Sequence, residues 1–384
     1  MSMASSSLCS PKFLPSFSTR PTKLLLSYQP NHLVLSSLQF NKKREFRLPS
    51  VASIPYQPVN VDYLEEEFSG HGVTFEDIGG NCVAKIGLEN GSTATLMLPY
   101  GLITSYKALM WHGGDVELLH TIVSEGEDGG AAIHGGVSLA FSFGSNSEVW
   151  SPCNWTLRDI RGNPQDSIQV ELACSDTEDM VDIRHIVTLE ETVLSSEVVI
   201  SNFSSSLLQF TGSVLSHLTA STPEAIYAIG LEGSNFFDIS PVSSNFVIIP
   251  PDNAQKNIGI GRLWSGMGFL SSSGAGNEEV ADKAESSFTE SEEDDNYKQL
   301  TDKMSRIYTS APTQLTIIDR GRRNSVISGR NGFEELYIFS PGSRHVFYGK
   351  YAYICVGSSA MLKPIILRPG DVWKGGQHLH NPNL

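Results

Sequence analysis

From Val73 onward the chain is written in short alternating runs, and this rhythm constrains its fold more than any other feature. Ser167 to Ala173 carries apolar residues at Ile168, Val170 and Leu172, and Leu194 to Ser201 carries them at Val198 and Ile200. Gln314 to Asp319, Glu335 to Phe339 and Tyr351 to Val356 continue the pattern, each run broken by Gly, Pro, Asn or Ser. A period of two places successive side chains on opposite faces of a strand, and no long 3.6-residue period competes with it. The expectation is an all-β fold, a large β-sandwich of many antiparallel strands. No repeat at a fixed period is present.

The first 53 residues have a different character. They hold twelve serines, seven Lys/Arg and a single acidic residue, Glu45, with Leu24–Leu26 as their longest apolar run. A serine-rich, basic, acid-poor opening without a secretory apolar core reads as an organellar transit peptide, of chloroplast type, ending near Val51 to Ser53. A plain disordered tail is the simpler alternative. Without that segment 20 basic residues face 41 acidic ones, so residues 54–384 carry a formal charge of −21. Such a surface repels phosphodiester backbones and anionic headgroups, which excludes nucleic acid and polybasic membrane docking as expected partners. No stretch is long enough to span a bilayer, so membrane association is expected to run through protein partners.

Cofactor and metal motifs are not expected. Cys82, Cys153, Cys174 and Cys355 are scattered without CxxC or Cys/His pairing and read as buried thiols of a reducing compartment. Gly259–Arg262 (GIGR) has no βαβ context for a dinucleotide. His378 and His380 alternate near the C-terminus without a third ligand. The sequons at Asn90, Asn154 and Asn202 read as chance. Residues 272–299 hold nine acidic residues, two lysines and almost no large apolar side chains. They are expected to form a disordered acidic insertion, either a docking arm or a tolerated loop.

The stretch most suggestive of chemistry is Ser216–Asp238, SHLTASTPEAIYAIGLEGSNFFD. It closes an alternating run in which Phe210, Gly212, Val214, Ser216 and Leu218 share one face and Thr211, Ser213, Leu215 and His217 the other. His217 thus projects from a face of mostly small side chains that could leave room for a ligand. A partly buried sheet histidine bonded to a neighbour fits the same pattern.

The order of residues here resembles the aldose 1-epimerase family, and within it the hexose-6-phosphate mutarotases. The resemblance covers about Gly72 to His380. Its parts are Gly80–Lys107, Ile133–Gly144 (IHGGVSLAFSFG), the His217 stretch, Arg306–Pro341 and Tyr353–Gln377. It implies a single galactose mutarotase-like β-sandwich over 54–384. Anomer exchange requires an acid at the ring oxygen and a carboxylate at the anomeric hydroxyl. The resemblance gives the first role to His217 and places the second at Gly357, which has no side chain. The family's arginine before the Gly135–Gly136 pair is His134, its second histidine is missing from Ser145–Trp155, and its Trp-Asn-Pro-Trp stretch is Phe339–Gly342, with Ser340. His134, Gly135, Gly136, His217, Ser340 and Gly357 are therefore expected to line a vestigial sugar pocket, with no cofactor. The chain is similar to a degenerate branch that serves in the NAD(P)H dehydrogenase-like (NDH) complex of chloroplasts. That likeness implies a non-catalytic subunit of subcomplex B, indirectly linked to photosystem I, on the stromal side of the thylakoid. A stromal hexose-6-phosphate 1-epimerase or a sugar-phosphate-binding protein is the alternative.

Overall fold

In a computed structural model, the structure describes residues 61–68, 70–78, 80–125, 131–144, 150–176, 180–250, 289–343 and 348–382. The 1–53 leader and residues 272–288 of the acidic insertion lie outside them. All described residues fall in one unit, Gln57–Leu384.

The described residues open with a short helix, α1 (Val61–Glu67), then strands β1 (Val73–Ile78), β2 (Asn81–Gly87), β3 (Thr93–Met97) and β4 (Leu102–Leu109). There follow β5 (Asp115–Glu117), β6 (Thr121–Glu125), β7 (Ala131–Gly135), β8 (Val137–Phe143) and β9 (Thr156–Gly162). The long central strands are β10 (Ser167–Asp176), β11 (Val181–Glu190), β12 (Val193–Asn202) and β13 (Leu208–Thr219). Shorter ones succeed them: β14 (Ile226–Ile229), β15 (Asn235–Asp238), β16 (Glu290–Glu292), β17 (Tyr297–Gln299) and β18 (Met304–Tyr308). The chain closes with β19 (Gln314–Asp319), β20 (Asn324–Asn331), β21 (Glu335–Ser340), β22 (Tyr353–Leu367) and β23 (Val372–His380).

These strands form two large antiparallel sheets and one small hairpin. The first sheet runs β1-β2-β3-β4-β8-β13-β22-β21-β18-β15-β16, with β5 added beside β4. The second runs β17-β14-β19-β20-β23-β12-β11-β10-β9, and β6 pairs only with β7. One hydrophobic core joins the two sheets, drawing Phe210, Val214, Leu218 and Ile338 from the first and Val170, Val187, Val198 and Ile317 from the second. The alternation in β13 is as the sequence predicts: its even residues face this core. A buried polar bridge crosses it, where Ser216 Oγ donates to Gln377 Oε1 at 2.5 Å and Gln377 Nε2 donates to Ser328 Oγ at 3.0 Å.

The central strands of the first sheet are buried on both faces. Every residue of β21 is buried, and a second cluster covers its far side with Leu215, Ile307, Tyr337, Phe339, Tyr353 and Cys355. Glu335, at the start of β21, is buried among the amides of a bulge in β22. Its carboxylate accepts from the backbone N–H groups of Met361 (2.6 Å) and Lys363 (2.8 Å), and from Leu362 between them. Burial pushes its pKa up, and these three donors pull it back.

The acidic stretch departs from expectation at its end. Residues 290–292 and 297–299 are strands, supplying an edge to each large sheet. The physical reason is Glu293, which is 2 % exposed and accepts from Arg306 Nη1 (2.8 Å), Lys298 Nζ (3.1 Å) and Tyr308 Oη (3.0 Å). A buried carboxylate with three donors is ordered in spite of its acidic neighbours. Glu293→Ala removes the shared partner of Lys298 and Arg306, leaves Arg306 its pair with Asp238, and is expected to lower unfolding free energy by about 1–3 kcal/mol in chemical denaturation.

Candidate functional site

His217 sits near the end of β13, on the first sheet's face directed away from the second sheet. It pairs in register with Cys355 of β22, while Leu215, two residues earlier, pairs with Gly357. On the far side of β22, Tyr337 pairs with Gly357 and Phe339 with Cys355. Position 357 therefore lies on the same face as His217, one diagonal step away, close enough for two catalytic groups to cooperate across adjacent strands.

The imidazole is fully buried and both its nitrogens are engaged by backbone. Nδ1 lies 3.3 Å from the Gly136 carbonyl, and the backbone N–H of Ile248 donates to Nε2 at 3.3 Å. An amide can only donate, so Nε2 is the acceptor and the proton resides on Nδ1, donated to Gly136. Desolvation drives its pKa down to about 3; the Gly136 carbonyl opposes this, and nearby His120 and His134 add to it. At neutral pH the ring is uncharged, its lone pair occupied and its one N–H committed.

The Gly135–Gly136 pair is needed for this arrangement. Both residues adopt positive φ, 95° and 66°, and a Cβ on either would collide with a carbonyl oxygen, that of His120 or of Ile103. Gly136 also accepts the backbone N–H of His217 at 2.9 Å, and Gly135 donates to Phe246 O at 2.6 Å. Close backbone approach on both sides selects glycine.

Residues 239–250 fill the space in front of His217. Val242, Val247 and Ile248 are buried in the cluster over Leu215, Tyr337 and Tyr353. Tyr353 Oη donates to Ile248 O at 2.5 Å, and Val242 N–H donates to Tyr337 Oη at 3.2 Å. His120 stacks on Tyr353 with ring centroids 5.5 Å apart, and its Nε2 lies 3.0 Å from Lys350 O. The expected ligand pocket is thus occupied by the chain itself. The apolar run Phe246–Ile249 was the available signal for this. His120, Tyr337 and Tyr353 carried none, because their approach to His217 depends on strand order.

The remaining predicted positions are divided. His134, on β7, is half-buried with Nε2 2.9 Å from Ser124 Oγ, beside the glycine pair. Ser340 is not in the cleft: its hydroxyl donates to Leu300 O at 2.9 Å, on the side of β21 that alternates with Phe339. The pairing of β21 with β22 puts Phe339, not Ser340, on the His217 face. At Gly357 an added Cβ would meet Leu215 Cδ2 at 2.5 Å, so the Leu215 side chain must shift to admit one, with Val214 O at 3.3 Å and Tyr337 Cβ at 3.5 Å. Among the described residues no group of three His, Cys, Asp or Glu is placed to hold a metal ion.

Solved structures share this architecture. A mutarotase-type protein, YeaD, from Salmonella typhimurium superposes with a TM-score of 0.58 at 12% identity, over 81% of this chain and 94% of its own. A galactose mutarotase-like protein from Clostridium acetobutylicum gives 0.51 at 12% identity, over 81% and 98%. No family model matches the chain. The fold is galactose mutarotase-like. At the level of sequence, the Arabidopsis thaliana protein NDH-dependent cyclic electron flow 5 is 44% identical over 370 residues, 95% of each chain. A Cenchrus ciliaris protein named as a candidate glucose-6-phosphate 1-epimerase is 28% identical over 100 residues, 24% of this chain and 30% of its own. The chain belongs to the family of NDH-dependent cyclic electron flow 5.

Two predictions follow from this geometry. His185, fully buried with Nε2 2.9 Å from Ser196 Oγ, also has its pKa lowered to about 3 by burial. Below a pH of about 6.5 the unfolded chain protonates both histidines while the native state does not. Stability therefore falls as pH drops from about 6.5 toward about 3, by up to about 1.4 kcal/mol per pH unit for each ring. Urea unfolding at a series of pH values should show this, with His217→Gln removing one of the two increments. Gly357→Ala should destabilise by about 1–3 kcal/mol through overpacking against Leu215, and Gly357→Glu more. Thermal melts of both variants check this.

Proposed function

We propose that this chain is a non-catalytic structural subunit of the chloroplast NDH complex, within subcomplex B, supporting cyclic electron flow around photosystem I. The carrying observation is the occupied cleft: Ile248 N–H takes the lone pair of His217, and Leu215 closes the space at Gly357. On this reading His217 is the remnant of the family's acid and Gly357 the position of its lost base. His134, Gly135 and Gly136 mark the remains of the sugar pocket. General acid–base catalysis needs an exchangeable proton within reach of substrate, and the described face offers neither a free imidazole nor a carboxylate at position 357.

The relative named for NDH-dependent cyclic electron flow supports the assignment to that complex. Residues 1–53 act as the chloroplast transit peptide. Among the described residues no helix is long and apolar enough to cross a membrane. The protein associates peripherally with the stromal face of the thylakoid through neighbouring subunits, and carries no redox centre. A fold kept for its surface after losing its chemistry is consistent with the general independence of fold and function.

Native gel separation of gently solubilised thylakoids tests the assignment. The protein should co-migrate with a very large NDH–photosystem I assembly, and that assembly should be missing in a knockout. Recovery only as a small stromal species would overturn it. The purified chain should leave the anomer exchange of glucose 6-phosphate at its spontaneous rate by NMR; acceleration would restore the epimerase reading.

A further inference from the structure

The sequence reading of buried thiols holds for Cys82 and Cys355, but Cys153 is exposed. Strand pairing brings it to Cys174, twenty-one positions away. The Cys174 thiol donates to the backbone carbonyl oxygen of Cys153 at 3.2 Å. That oxygen is about 2.4 Å from its own Cα, so the Cys174 sulfur lies within about 5.6 Å of Cys153 Cα. A cysteine sulfur stands about 2.8 Å from its own Cα, so the two Cα atoms lie within about 8.4 Å, and closure to the roughly 4.4–6.8 Å that a disulfide spans draws the exposed Cys153 toward β10. The pair sits just beyond the last registered contact of β10 with β9, Ala173 with Thr156. Asn154, the residue after Cys153, is left-handed at φ 58° and turns the chain sharply there.

The segment containing Cys153 has a particular place in the fold. It carries the chain from β8 in the first sheet to β9 at the edge of the second. Trp150 is fixed at its start, bridging Phe143 by two backbone bonds and stacking on it at 4.5 Å. Trp155 is fixed at its end, its N–H donating to Pro99 O at 3.0 Å and its ring set edge-on to His185. Between these anchors stands an exposed thiol beside a second, half-buried one.

We propose that Cys153 and Cys174 form a reversible disulfide by exchange with a disulfide-bearing oxidant, stapling the sheet-to-sheet crossover to β10. The Cys153 thiolate attacks one sulfur of the oxidant RS–SR, forming a mixed disulfide and releasing RS⁻, which takes up a proton. The Cys174 thiolate then attacks Cys153 Sγ, breaks the mixed bond and releases the second thiol. Two cysteine thiols and one RS–SR give one protein disulfide and two RSH, with both electrons ending on the oxidant. Exposure fits Cys153 as the attacked and attacking sulfur, and its neighbour as the resolving one. Cys82 and Cys355 are 4 % and 0 % exposed and take no part. The inference is independent of the NDH assignment.

The full chain, equilibrated in buffers of reduced and oxidised dithiothreitol, alkylated, digested and mapped by mass spectrometry, provides the test. A peptide pair linked between Cys153 and Cys174 is expected under oxidising conditions, about 2 Da lighter than the two reduced peptides. The linked form should melt several degrees higher than the reduced form. Cys153→Ser, a change at an exposed position, should abolish both effects while leaving the reduced melting temperature unchanged, and Cys174→Ser should abolish the link. No linked pair in fully oxidised dithiothreitol would overturn the proposal. So would linkage of Cys153 to a cysteine other than Cys174, or a stable dithiothreitol adduct on Cys153 that Cys174 does not displace.

Discussion

A neutral imidazole buried in a sheet needs one acceptor for its N–H and one donor for its lone pair, and much of one face of this protein follows from meeting that need for His217. The acceptor is Gly136 O and the donor Ile248 N–H. An unsatisfied buried polar group costs on the order of 1–3 kcal/mol. The two bonds therefore draw in the glycine turn from one side and residues 239–250 from the other. Once Ile248 is fixed, its carbonyl accepts the Tyr353 hydroxyl, the Phe246 carbonyl accepts Gly135 N–H, and Val242 N–H donates to Tyr337 Oη. Apolar side chains between these bonds then close the face. The space in front of His217 holds main chain.

The reverse side of the same strand is organised differently. Ser216, adjacent to His217, reaches across the inter-sheet core to Gln377, and Gln377 spans Ser328 and the Val356 carbonyl. Four strands of two sheets, β13 and β22 of the first and β20 and β23 of the second, are thereby keyed to one another within otherwise apolar packing. Apolar contacts alone resist separation of the sheets but discriminate weakly between nearby alignments. A satisfied polar bridge holds one of them. Consecutive residues of β13 thus fix the sandwich core and the filled cleft.

Much of this was legible in the sequence because strands write their two faces in alternate letters. Phe210, Val214 and Leu218 mark the core side of β13 by their alternation. His217 was correctly placed opposite that core. What fills its surroundings was not legible, since Ile248 lies 31 residues further on and meets it through chain return, not through local pattern. Ser340 was misplaced by taking a segment as a unit when alternation sends Phe339 and Ser340 to opposite faces. Composition misled at 289–299, where acidity suggested solvation; Glu293 is ordered by Arg306, Lys298 and Tyr308, which no window of sequence gathers together. The nearness of Cys153 to Cys174 is likewise a product of strand pairing.

The network at Glu293 has a further consequence together with the seat of Ile248. Ile248 is held by His217 and Tyr353, and Glu293 by Arg306, Lys298 and Tyr308. The two anchors share no partner, so the filling of the His217 face and the ordering of the sheet edges are separate events, and loss of one leaves the bonds of the other in place.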